Sequence, residues 1–303
     1  MNGRAIMDGE MTGIELTRGD LRLGVDPARG GVLTYLRSQG PGGPIDWLRP
    51  ATPGFRLPEM AGSFPLVPFS NRIAQGRFVV DGRRVSLPAN RPNQPHAIHG
   101  FGWDSTWTIG EQGPDRLTLT HAVDGDGPWP WAYRAWQEII LDDDGVGLTL
   151  AVENRSGAPM PAGIGQHPYF PTAGLRGLRA RVAAYHLSGP DMLPTDRVPD
   201  HPGVVALATG GALPIGLDGV FDGWDGRADL VWEDRRLTLT ADPVFGRLVL
   251  YSPPGADYFC LEPVSHMTDA HNRPPALAAD QGLRLLPPGA ALLGKVRLTP
   301  SRD

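Results

Sequence analysis

Apolar and polar positions alternate with a period of two along much of the chain. Arg116-Leu117-Thr118-Leu119-Thr120-His121 is one such run, and Val146 to Val152, Leu237-Thr238-Leu239-Thr240 and Arg247-Leu248-Val249-Leu250-Tyr251 repeat the pattern. That period sends successive side chains to opposite faces of a strand, so each run predicts a β-strand with one buried face. Leu21 to Val25, Val32 to Leu36 and the closing stretch Ala291 to Leu298 read the same way. Arg77 to Val80, then Asp81-Gly82, then Arg83 to Leu87 predicts a hairpin, because Asp-Gly suits a two-residue turn. No apolar stripe of helical period runs for four turns. The glycine-rich segment from Gly203 to Gly226 reads as long loops, and neither a linker nor a fixed-period repeat divides the chain. The expectation is all-β: a single antiparallel β-sandwich domain over residues 1–303, with the first 13 residues not required to be ordered.

Composition narrows the function without naming it. Glycine (40) and proline (32) are abundant but scattered, which fits many short strands joined by turns rather than a low-complexity chain. A net charge of −5 with no stripe of Lys and Arg argues against a nucleic-acid partner. The start carries no apolar run of signal-peptide length and no stretch reaches membrane-spanning length, so no membrane partner is expected. One cysteine, Cys260, excludes an intramolecular disulfide and points to a reducing, cytoplasmic setting. Oligomeric state leaves no mark in the sequence.

Two tripeptides stand out for their chemistry. His167 and Glu262 each precede a proline, in Gln166-His167-Pro168-Tyr169-Phe170 and Leu261-Glu262-Pro263. The proline ring pushes the preceding residue out of helix into extended geometry. An imidazole and a carboxylate, each held on an extended backbone, are the minimum equipment for moving a proton on and off a small substrate. In a strand His167 shares its face with Gly163 and Gly165, an open floor that suits a ligand. Glu262 shares its face with Tyr258 and Cys260, where a carboxylate is costly unless paired or used. A Glu bound to backbone at the rim of a sandwich fits the same pattern. At ordinary pKa values Glu262 is ionised and His167 titrates near neutrality, with no large shift needed.

His96 and His99 sit three apart, but strand geometry sends them to opposite faces and no His-x-His accompanies them, so no metal is expected. Asn71-Arg72 offers an amide beside a planar fork of donors, a combination suited to sugar hydroxyls. Trp103, Trp107, Trp129, Trp131 and Trp136 crowd one stretch; most read as core or loop packing, with at most two stacking on a pyranose face of the substrate.

Taken in order, these segments resemble the aldose 1-epimerase (galactose mutarotase) family. Asn71-Arg72-Ile73 with Gly76 and Phe78 resembles its Asn-Arg-Ile-x-x-Gly-x-Phe motif, and His99-Gly100 its His-Gly motif. His167-Pro168-Tyr169-Phe170 and Glu262-Pro263 resemble the His-Pro-Tyr-Phe motif and the region of the essential glutamate. Leu217-Asp218-Gly219-Val220-Phe221 resembles the segment that supplies a sugar-binding aspartate. The resemblance implies a large twisted antiparallel β-sandwich of the galactose mutarotase-like supersandwich type. It implies a monosaccharide substrate, no cofactor and no metal, and interconversion of the α and β anomers of a free aldose. By the same resemblance Glu262 is the base on the anomeric hydroxyl and His167 the acid on the ring oxygen, while Asn71, Arg72, His99 and Asp218 hold hydroxyls. Phe101-Gly102-Trp103 directly after His99-Gly100 departs from the classical branch and looks like a shorter bacterial one. The alternatives are a hexose-6-phosphate 1-epimerase, which needs a basic pocket, and a sugar-binding module without turnover. A metal-dependent sugar isomerase and a polysaccharide-cleaving sandwich enzyme stand further off.

Overall fold

The computed structural model describes residues 13–40, 42–92, 94–273 and 281–302. The N-terminal tail considered above lies almost wholly outside these residues. Two eight-stranded sheets carry the architecture. The first runs, neighbour to neighbour, through Thr108–Gln112, Arg116–Val123, Tyr133–Asp142, Gly145–Asn154, Ala291–Arg302, Arg235–Ala241, Arg227–Trp232 and Leu175–Ala180. The second runs through Pro194–Val198, Ala184–Ser188, Asp218–Asp222, Arg247–Tyr251, Tyr258–Val264, Gly165–Gln166 and Pro65–Leu66, and Tyr169–Pro171 also pairs with Tyr258–Val264. A four-stranded sheet spans Ile14–Arg18, Leu21–Asp26, Val32–Gly40 and Gly43–Asp46. Every strand ladder among the described residues is antiparallel, as the all-β expectation requires.

The period-two pattern explains how the sheets pack. Along Arg116–Val123, Leu117, Leu119 and His121 are buried while Thr118 and Thr120 between them are half-exposed. Along Tyr258–Val264 both faces are buried, and the two faces do different things. Phe259 and Leu261 join Leu248, Leu250 and Phe221 in the main core between the sheets. Cys260 and Val264 join Val220, Val249, Tyr169 and Phe64 in a second, smaller cluster on the far side. Each buried Leu or Phe is worth roughly 1.5–3 kcal/mol. A one-residue slip would reverse both faces, so the core dictates that Glu262 points away from it.

Tyr133–Asp142 is a ten-residue strand with no clean alternation in its sequence: Gln137 faces inward while Trp136 and Ile140 lie half-buried on the outer side. The hairpin Arg77–Val80 with Arg83–Ser86 forms as expected, and Asp81 (φ 48) and Gly82 (φ 74) both take the positive φ of its turn. The reading of Gly203 to Gly226 as loops is corrected, since it holds the helix Pro202–Thr209 and the strand Asp218–Asp222. The helix has eight residues, too few for a visible helical period. The His201 ring accepts the Gly203 N–H at 3.1 Å at its start, and Gly210 (φ 72) closes it. The strand's centre, Gly219 to Phe221, is buried on both faces and therefore does not alternate.

Several of the eight histidines are core residues. His121 lies 3.0 Å from the Tyr133 hydroxyl. His266 accepts the Ser70 N–H at Nε2 (3.1 Å), and its Nδ1 sits 2.8 Å from the Met267 carbonyl. His271 packs edge-on against Phe69, Phe78 and Trp129. Burial pushes His121 and His266 down to about 4 and His167 to about 3, and holds His99 and His271 well below the ordinary value.

The unfolded chain takes up a proton on each of these five imidazoles near pH 6.5, and the folded protein does so only at lower pH. Their stabilisation is full above that value and falls as the pH drops, by on the order of 1.4 kcal/mol per pH unit for each. Glu262, Asp218 and Asp46, raised by burial, act in the opposite sense. With five groups against three, the urea midpoint is predicted to fall between pH 7 and pH 5. A midpoint that rises over that range would contradict this balance.

Candidate active site

Strand register brings the two pre-proline residues together. The pairings Gly165↔Val264 and Tyr169↔Cys260 share one register, and continuing it across Pro168 sets His167 opposite Glu262 on the same face. The backbone of this segment is held on its other side, where His167 N–H donates to the Phe64 carbonyl (3.0 Å) and Tyr169 N–H to that of Gly62 (2.8 Å). His167 Nε2 lies 3.2 Å from Glu262 Oε1. The residues are 6% and 2% exposed, and His167 Nδ1 and Glu262 Oε2 are buried with no hydrogen-bond partner.

The imidazole is packed against two aromatic rings, Phe64 at 4.4 Å and Tyr169 at 4.9 Å between ring centroids, each close to parallel with it. Behind Tyr169 the Arg49 guanidinium lies 3.9 Å from that ring and 4.4 Å from Tyr258, donating to the carbonyl of Ala61 at 2.7 Å. Neither Arg49 nor Phe64 is distinguished by the sequence pattern, because each acts only through the ring it touches.

Two strained turns supply the opposite wall. Asn71 (φ 54) and His99 (φ 63) occupy the left-handed region, which costs a non-glycine residue energy and is tolerated where surrounding contacts enforce it. The enforcing contacts are mutual: Asn71 N–H donates to His99 Nδ1 at 3.1 Å, and His99 N–H donates to the Asn71 carbonyl at 3.0 Å. With Nδ1 accepting, the ring proton of neutral His99 sits on Nε2. Gly100 (φ 73) must be glycine, because a Cβ there would lie 2.1 Å from the Val67 carbonyl oxygen. Asn71 Oδ1 accepts the Arg72 N–H at 2.8 Å and the Arg72 guanidinium at 3.3 Å, so this oxygen orients the arginine. Arg72 also reaches Asp218 at 3.7 Å and Gln94 at 3.4 Å, and its carbonyl accepts the N–H of Asp269.

Asn71, Arg72, His99, His167, Asp218 and Glu262 thus line one cleft of about 180 Å³. Tyr169 and Tyr251 share the lining, with Ile98 and Val249 as its apolar patches. Tyr251 is legible only in hindsight: it opens the face that continues through Val249 on one strand and pairs with Asp218 and Cys260 on its neighbours.

The structure corrects several expectations. Gly163 and Gly165 do not form an open floor, since a Cβ on Gly163 would fall 1.8 Å from the His266 ring and one on Gly165 would fall 2.9 Å from Val264. They make room for the protein's own side chains. Trp103, Trp107, Trp129 and Trp131 are core residues at 1–2% exposure, as expected of most of the tryptophans, and none of the five lines the cleft, whose aromatic surfaces are tyrosines. His96 spends both ring nitrogens on backbone, with the Gln75 N–H at 3.0 Å and the Asp191 carbonyl at 2.9 Å. The pair is also not near its ordinary pKa values. Burial raises Glu262, with Asp218 adding to the rise and Arg72 opposing it, and burial drives His167 down to about 3 with Arg49 assisting. Neither uncompensated charge is favoured in so dry a site. One proton shared between the two groups leaves the pair neutral overall, whichever end holds it.

The aldose 1-epimerase family model matches residues 14–299. An uncharacterized Escherichia coli K12 protein, YphB, is 30% identical over 274 residues, which cover 87% of this chain and 91% of that protein. Rat galactose mutarotase is 30% identical over 151 residues, 48% of this chain and 42% of its own length. Among solved structures, a candidate aldose 1-epimerase from Escherichia coli K12 superposes with a TM-score of 0.86 at 28% identity, covering 96% of this chain and 99% of its own. A galactose mutarotase-like protein from Clostridium acetobutylicum gives the same TM-score of 0.86 at 18% identity over 96% and 95% of the two chains, a likeness of fold. The match of family model, sequence and fold over nearly the whole chain means that this protein belongs to the aldose 1-epimerase family.

Proposed function

We propose that the protein is a cofactor-independent mutarotase acting on a free aldose. The observation that carries this reading is the 3.2 Å contact between two buried proton-carrying groups, His167 and Glu262. The cleft's size suits a single sugar ring, since about 180 Å³ is well below the ~300–1,000 Å³ of drug-sized pockets. In the proposed reaction the Glu262 carboxylate takes the proton of the anomeric hydroxyl, the bond from C1 to the ring oxygen breaks, and His167 gives its proton to that oxygen. The open-chain aldehyde turns about C1–C2. Closure on the other face returns one proton to His167 and the other to the new anomeric hydroxyl, so the pair ends as it began.

In the empty cleft burial favours the uncharged form, carboxylic acid beside neutral imidazole. The charged form differs only by a proton shift across the 3.2 Å contact. Sugar hydroxyls supply the hydrogen bonds that the buried Oε2 and Nδ1 lack, and Arg72 favours the carboxylate end. We assign the grip on the sugar to the Arg72 guanidinium, the Asn71 amide, the His99 Nε2–H and the Asp218 carboxylate, with Tyr251 as an apolar wall. Among the described lining residues Arg72 is the one Lys or Arg, and it faces Asp218, which favours an uncharged sugar over a sugar phosphate.

Polarimetry on freshly dissolved α-anomers tests the reading. Glu262→Gln and His167→Asn are each expected to slow mutarotation by roughly 10²–10⁴-fold while the circular dichroism of the folded protein is retained. Full activity in a folded Glu262→Gln variant would overturn the assignment. A wild-type protein that binds sugars but accelerates none of them would instead indicate a binding module.

The pH profile of kcat/KM gives a second test. The titratable and charged groups facing the pair are His99, Cys260, Tyr169, Arg72, Asp218 and Arg49, and the working form of the pair carries one proton. That form is lost on the acid side only as His167 takes up a proton near its depressed value of about 3, and on the alkaline side as Glu262 loses its own above the ordinary carboxylate range. Activity is therefore predicted to hold between pH 7 and pH 5. An acid limb centred near pH 6.5 would show that an unshifted histidine controls the rate.

A further inference from the structure

Cys260 is the one cysteine of the chain, and its place beside the proton-transferring pair is unused by the reaction proposed above. It precedes Glu262 by two residues on the same strand, so the thiol and the carboxylate share a face. Tyr169↔Cys260 pairing places the thiol diagonally across from His167, within reach of a side chain on the neighbouring strand. The three residues each offer a donor atom, and these atoms lie within 4.8 Å of one another, all three residues being buried. Glu262 Oε2 and His167 Nδ1 are buried with no hydrogen-bond partner, so the cluster holds polar capacity that the protein does not spend.

We propose that His167, Cys260 and Glu262 form a binding site for a borderline-to-soft divalent cation such as Zn2+, and that the cation inhibits the enzyme by occupying its proton-transfer pair. The donor set of one thiolate, one imidazole and one carboxylate suits Zn2+ and excludes hard, oxygen-seeking Mg2+ and Ca2+. Tetrahedral zinc with bonds of about 2.0–2.3 Å holds its ligand atoms roughly 3.3–3.7 Å apart. The imidazole and carboxylate already stand at 3.2 Å and the whole donor set lies within 4.8 Å, so a modest contraction of the cluster closes the site. Three protein ligands leave the fourth position open to water or to a sugar hydroxyl.

Proton balance gives the site a signature. Burial keeps the Cys260 thiol protonated, and the His167–Glu262 pair holds one further proton. Coordination needs a thiolate, a neutral imidazole and a carboxylate, so each cation bound releases two protons to solvent. The binding claim stands on the cluster's geometry alone, while the claim of inhibition also rests on the function proposed above.

The test is calorimetric titration of chelator-stripped protein with Zn2+ in two buffers of different ionisation enthalpy, on wild type and Cys260→Ser, with Co2+ absorption as a second readout. The expected result is one Zn2+ per chain with about two protons released. Cys260→Ser is expected to bind at least about 100-fold more weakly, more than loss of an outer-shell partner usually costs. A thiolate-to-cobalt band is expected in wild type only. Stoichiometric Zn2+ should abolish mutarotation by wild type and spare whatever activity Cys260→Ser retains. No 1:1 binding, or equal affinity in Cys260→Ser folded by circular dichroism, would overturn the site. If Zn2+ binds as described but the protein accelerates no sugar, the site stands and the proposed function fails.

Discussion

The structure depends on the register of one strand, Tyr258–Val264, between two environments. Its odd residues Phe259 and Leu261 are committed to the core between the large sheets, and its even residues Cys260 and Glu262 are thereby turned to the far side. The hydrophobic gain on the core face places a carboxylate where desolvation alone would not put one. The same register, carried across Pro168, sets His167 opposite. Packing and proton chemistry are therefore two faces of one strand, and neither can be shifted by a residue without losing the other.

Burial shapes the site's electrostatics more than any single charge does. Glu262 is raised and His167 and His99 are lowered with desolvation as the leading cause in each case. A dry site of this kind resists holding a lone charge but accepts a proton moving between neighbours, because the total charge stays constant. Phe64 and Arg49 support the imidazole from outside the cleft lining, while Tyr169 both packs on the ring and lines the cleft. On the opposite wall, left-handed turns at Asn71 and His99 aim Arg72 and the His99 ring into the cleft, and the backbone strain is held by their reciprocal hydrogen bonds.

Much of this was legible in the sequence, for identifiable reasons. Period-two runs such as Arg116–Val123 have one buried face and one partly exposed face, so alternation survives in their residues. Tyr133–Asp142 and Asp218–Asp222 escaped the pattern because an inward Gln137, outward Trp136 and Ile140, and a centre buried on both faces erase it. The residues that line the cleft came from ordered motifs, and the structure gathers all six into one wall-and-floor arrangement. What the sequence could not convey was burial. It made Glu262 and His167 look ordinary in their pKa values and Gly163 and Gly165 look like a floor. Each misreading comes from contacts made by residues distant in the chain: His266 fills the space beside Gly163, and Phe64 and Arg49 close off the imidazole stack.

The central claim is that His167 and Glu262 work as one unit. A double-mutant cycle on the mutarotation rate with His167→Asn, Glu262→Gln and the double variant tests it most directly. If the two groups share one proton and one task, the double variant will be about as slow as the slower single variant, since removing either end disables the pair. Losses that multiply, each single variant subtracting its own independent share, would contradict the account.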